Sequence, residues 1–156
     1  MLRVFILVAS HAVMLGLGFL IGIFVLPILT APKGPDVAAL RANASGTLYK
    51  GRFERNLTGS DFVHWGEGEV RVLPDRVVHE GRLAPGPDYK LYLVPEFVDT
   101  EAGFLAIKDK SRRIGDVKTF NGFILDVPTG VDVGAYTTVV VWCEAFSQFI
   151  SAAKYR

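Results

Sequence analysis

The chain has 156 residues, 17 basic and 16 acidic side chains, a net charge of +1, and one cysteine, Cys143. So even a balance excludes the basic footprint of a nucleic-acid binder and the charge block of an acidic tail. One cysteine excludes an intrachain disulfide framework, and the thiol reads first as a small buried hydrophobe.

The first element is apolar. Between Arg3 and Lys33 run 29 consecutive residues without a formal charge, and their apolar core from Val4 to Leu29 is broken only by Ser10, His11 and a late Pro27. About 20 apolar helical residues cross a bilayer, so residues 1–31 are long enough to span as a single transmembrane helix with some tilt. The run exceeds the apolar core of a cleaved signal peptide, and cleavage after Ala31 would leave Pro32 first. The segment is therefore expected to be an uncleaved signal anchor. Positive charges are nearly even on its two sides: Arg3 and the amino terminus against Lys33 and Arg41. The short tail before Arg3 and the large domain behind favour export, which places the domain in the periplasm on the cell inner membrane.

Within the anchor, Ser10, His11, Gly18 and Gly22 mark one stripe. Gly18-x-x-x-Gly22 is the small-x-x-x-small spacing of close helix contacts, and an ionisable group inside a membrane usually faces a partner. This stripe is the expected face toward another subunit of a membrane complex.

Residues 32–45 read as a linker, stopped by Pro32, Gly34 and Pro35, with one helical turn from Asp36 to Arg41. Beyond it come short β-type runs: Thr47–Phe53, Gly68–Leu73, Val77–Leu83, Tyr89–Val94, Phe104–Lys108, Arg113–Lys118, Gly122–Val127 and Thr137–Cys143. Turn residues separate them, and Pro74-Asp75 suits a hairpin. Residues 46–156 are thus expected to form one all-β domain, an antiparallel sandwich or barrel. Alternation puts Tyr89, Leu91 and Leu93 on one face of their strand. The run from Thr138 to Cys143 is apolar on both faces and reads as the central, doubly covered strand, with Cys143 on the face of Val139 and Val141.

The same segment carries a resemblance. Gly46–Phe53, Gly66–Val70, Gly86-Pro87-Asp88-Tyr89-Lys90-Leu91-Tyr92-Leu93, Ile114–Gly122 and Val131–Ser147 with its valine run ending in Trp142-Cys143 resemble the DM13 domain. The resemblance covers residues 46–155 and implies electron transfer, with Cys143 as a redox thiol or a ligand to a prosthetic group such as haem. Haem needs one or two ligands, so His64 and His79 join Cys143 as cofactor-binding candidates. No metal site is expected, since no His-x-x-His or Cys-x-x-Cys occurs. Glu144 beside Cys143, together with burial, should raise the thiol pKa. Asp99-Thr100-Glu101 reads as a solvated loop, and no nucleophile motif is present.

Two functions follow as expectations. One is a membrane-anchored redox accessory, rather than a turnover enzyme, working through Cys143. The other is a non-catalytic assembly or binding subunit docked by its helix.

Overall fold

The structure, a computed structural model, describes all 156 residues. Helix α1 (Leu2–Thr30) is followed by a short helix α2 (Val37–Asn43) and eight strands in two antiparallel four-stranded sheets. The first sheet has the order β1 (Tyr49–Phe53), β2 (Gly66–Val72), β3 (Arg76–Leu83), β6 (Phe123–Asp126). The second has the order β5 (Arg112–Val117), β4 (Tyr89–Val94), β7 (Thr138–Cys143), β8 (Gln148–Lys154). The domain is the antiparallel sandwich that the strand pattern predicts.

Helix α1 is long and apolar enough to cross a membrane and is exposed along nearly its whole length. Only six residues, Ala31 to Asp36, separate it from α2. They are held: a Cβ at Gly34 would overlap the Asn121 side chain, so this glycine lets the segment lie against Asn121. Asp36 caps α2 by accepting the Ala39 N–H at 2.7 Å, which satisfies an orphan donor of the first turn. Leu40 then buries against Leu73 and Val78 on the outer face of the first sheet. The connection therefore ends in a helix docked on the sheet, reaching Asn43 rather than stopping at Arg41.

The sheets face each other across a core of 19 buried residues. Tyr89, Leu91 and Leu93 enter it from β4, and Val139, Val141 and Cys143 from β7, as alternation predicts. Every residue of β7 is buried, because β4 and β8 flank it and both its faces are covered. Both open edges nearly close, with β1 beside β8 and β5 beside β6. At the first of these a Cβ on Gly51 would stand 2.6 Å from Lys154 O, so only glycine permits that approach.

Two elements differ from the sequence expectation. Phe104–Lys108 is not a strand: residues Glu101–Ile107 form helix α3. Thr100 caps it by accepting Gly103 N–H at 3.1 Å, and Asp99 accepts the Thr58 hydroxyl at 2.5 Å. The Phe104 and Ile107 spacing is helical, and both bury on the outer face of the second sheet with Trp142 and Phe149. The second difference is β8, absent from the expected strands. It pairs with β7 after a turn in which Ser147 takes φ 49°, the left-handed place that glycine or asparagine usually fills. A register shift between Val141 and Trp142 turns Phe149 outward and Ile150 inward at the end of the strand that carries Cys143.

Candidate functional site

Cys143 is the last residue of β7 and is 2% exposed. Its side chain points into the end of the sandwich, where a cavity of about 350 Å³ opens between the domain and α1. Ile23 and Phe24 of α1 form one wall, and His64, Tyr89, Cys143 and Phe146 contribute the domain side. The chain thus brings its one thiol and one of its three histidines to a single space beside the apolar helix.

Each wall has a local cause. His64 sits in a tight turn built on Asp61, whose Oδ1 accepts the N–H groups of Val63 and His64 at 2.7 Å each. Asp61 Oδ2 accepts the His64 Nδ1–H at 2.8 Å, which fixes the ring and points Nε2 away from Asp61. Burial opposes the Asp61 charge, but the His64 ring and the two backbone amides outweigh it and hold the carboxyl below its usual range. Tyr89 faces Cys143 across the β4–β7 pair. A Cβ at Gly86 would overlap the Tyr89 ring, so Gly86 is what lets the Pro85–Pro87 turn close over it. Burial pushes the Tyr89 hydroxyl well above the ordinary phenol range, and the nearby Asp61 charge adds to the rise.

Burial also pushes the Cys143 thiol up, while the backbone amides of Phe146, Asp88 and Ala145 pull it part of the way back. The carboxylate that adds to the rise is Asp88 and not the sequence neighbour Glu144. Alternation explains this, since Glu144 turns to the opposite face of the sheet. There Tyr92 O–H donates to Glu144 Oε1, and Lys108 Nζ donates to Oε2 at 2.7 Å. Lys108 Nζ also lies 5.4 Å from the Trp142 ring centre and 5.8 Å from that of Tyr92. Burial raises the Tyr92 hydroxyl further, and Glu144 adds to it.

The other sequence candidates lie elsewhere. His79 is fully buried in the sandwich between the rings of Phe53 and Phe123, each 5.0 Å away. Its Nε2–H donates to Glu67 O at 3.1 Å, Nδ1 has no partner, and burial lowers its pKa to about 4. His79 belongs to the interior and not to the walls of the Cys143 cavity. In α1, the Ser10 hydroxyl and the His11 Nδ1–H both donate to Leu7 O at 2.8 Å, so the helix satisfies them itself. Nothing lies within 4 Å of a Cβ at Gly18 or Gly22, and Gly22 lines a hollow shared with Pro87 and Phe146.

For a prosthetic group held by Cys143 the donor chemistry is unfavourable. A thiol ligand must be deprotonated, and this one is buried and held in its protonated form. The residues present are one buried thiol and one histidine in the lining of the same cavity. Sequence reading missed Asp61 and Tyr89 as parts of the site; the Asp-x-x-His spacing of the turn was the one signal available for the first.

Compared with known proteins, residues 56–155 match the profile of the family described as "Electron transfer DM13". No curated protein and no solved structure matches.

Proposed function

The chain belongs to the DM13 electron-transfer family, and from that premise we propose that it is a membrane-anchored, outward-facing redox accessory that works through the Cys143 thiol. In this reading α1 is the single-pass anchor and the domain lies in the periplasm at the inner membrane. The observation that carries it is the cavity shared by Cys143 and His64 at the side of α1.

The chemistry available to one thiol without an intrachain partner is exchange with a disulfide. His64, its Nδ1–H tied to Asp61, accepts the Cys143 proton at Nε2. This supplies thiolate when a partner enters, although the resting thiol is protonated. The thiolate attacks one sulfur of an acceptor disulfide. A Cys143–acceptor S–S bond forms, the acceptor's own S–S bond breaks, and the departing thiolate takes the proton back from His64. A donor dithiol then reduces the mixed disulfide, becomes a disulfide, and releases the second acceptor thiol and the Cys143 thiol. Two electrons and two protons have passed from dithiol to disulfide.

The test is trapping in membranes that contain the full chain. Rapid acid quenching followed by alkylation and mass spectrometry should find a reducible adduct on Cys143, slower to form in His64→Ala. A Cys143 that stays free under oxidising conditions, with an equal result in His64→Ala, would sink the reading.

A further inference from the structure

The last turns of α1 do not stand clear of the domain. Gly22, Ile23, Phe24, Leu26 and Thr30 line the two hollows whose other walls include Pro87 and Phe146. A helix of 29 residues is about 43 Å long, whereas the hydrocarbon core of a bilayer is about 30 Å thick. If the core begins at Val4, just after the charge of Arg3, about 20 residues take it to Ile23. The turns from there to Thr30 lie in the headgroup layer, and so must whatever packs beside them.

The side chains packed there suit that layer. Phe62 is 95% exposed, more than any other large apolar side chain of the β domain. It stands in the same tight turn as Val63 and His64, both of which line the Cys143 cavity with Ile23 and Phe24. Phe146, at the tip of the β7–β8 turn, is 56% exposed and lines both hollows. Six residues join α1 to a helix docked on the first sheet, which keeps the end of α1 close to the domain. Two exposed aromatic tips, a Pro-Gly-Pro turn and the emerging anchor therefore share one end of the domain. In water such tips carry a hydrophobic penalty, and aromatic side chains at a membrane–water boundary remove it.

We propose that this end of the domain is seated in the phospholipid headgroup layer, with Phe62 and Phe146 inserted, so that the Cys143 cavity opens to the lipid phase rather than to bulk water. The seating rests on the anchor reading of α1 but not on the redox role of Cys143. The reagents that reach Cys143 are then those that partition into the bilayer.

The experiment uses the full chain in nanodiscs containing a phospholipid with a photoactivatable diazirine near the top of its acyl chain. Carbonate washing of native membranes first checks the anchor: a chain released by the wash would overturn the anchor reading and the seating together. For an anchored chain, the expected result is lipid adducts on the peptides bearing Phe62 and Phe146 as well as on α1. Both loop adducts should be lost in Phe62→Asp/Phe146→Asp while those on α1 persist. Adducts confined to residues 1–30 in the wild-type chain would overturn the seating alone. A second readout is the labelling of Cys143 by N-ethylmaleimide against a charged methanethiosulfonate. The uncharged reagent should lead in the wild-type chain and lose that lead in the double variant. Equal rates in both chains would also contradict the seating.

Discussion

Trp142 and Cys143 are neighbours on one strand and occupy opposite kinds of environment. Trp142, fully buried, looks to the outer face of its sheet, where α3 covers it, Phe104 lies 4.8 Å away and Lys108 stands over its ring. At its border Tyr92, Glu144 and Lys108 pair with one another, while the Trp142 Nε1–H has no hydrogen-bond partner. Cys143 looks the other way, into a cavity of about 350 Å³. One region is packed and closed, and the other is left hollow beside the anchor. Concave, mostly apolar spaces with a few polar groups are where ligands bind, so the hollow is the feature that calls for a role.

The largest effect should come from breaking the closed side. Trp142→Ala removes the largest buried side chain and should cost about 3–5 kcal/mol of unfolding free energy, read by denaturant titration. An equal loss from Cys143→Ala would erase the contrast between the two regions.

The same contrast recurs between two histidines, and pH separates them. His79 has a folded pKa of about 4 against 6.5 unfolded, so its neutral form stabilises the fold. That stability is fully present above pH 6.5 and is lost as pH falls toward 4. It amounts to roughly 3 kcal/mol, since each pKa unit is worth about 1.4 kcal/mol. Unfolding measured between pH 7 and 4 should show this slope, and His79→Gln should flatten it. An unchanged slope in His79→Gln would assign the acid response to other groups.

These contrasts were unevenly legible in the sequence. The apolar run, the two-residue alternation of β4 and the valines of β7 announce the helix, the sandwich and the inward face of Cys143, because burial on one or both faces leaves a periodic trace. Helix α3 was hidden because Phe104-Leu105-Ala106-Ile107 reads equally as a short strand, and only the Thr100 cap and the spacing of Phe104 and Ile107 tell otherwise. Strand β8 was hidden because Ala152 and Ala153 have little β preference and are strand residues through their packing. The cavity that His64 and Cys143 both line joins a loop to a strand end 79 positions later, and no local pattern encodes it.

A smaller effect sharpens the closed side. Glu144→Gln leaves Lys108 without its carboxylate and weakens the bond from Tyr92, at an expected cost of about 1–2 kcal/mol. The loss should shrink as pH falls and the wild-type carboxylate is protonated below its usual range. A cost that persists unchanged at low pH would show that Glu144 acts by packing alone. Smallest of all, Cys143→Ala should cost about 1 kcal/mol, because the side chain is small and already borders a cavity. A cost of about 3 kcal/mol or more would make Cys143 a packing residue like Trp142.

The central claim is that Cys143 reacts from the folded state, through its cavity. The rate of Cys143 modification by an uncharged disulfide reagent, followed on the full chain at rising urea concentrations below the unfolding transition, tests it directly. Reaction through the native cavity gives a rate nearly independent of urea, whereas reaction only after global unfolding gives a logarithmic rate that climbs with the full equilibrium m-value. The account predicts the flat dependence, with a lower plateau in His64→Ala. A slope equal to the equilibrium m-value would contradict it and leave Cys143 a core residue.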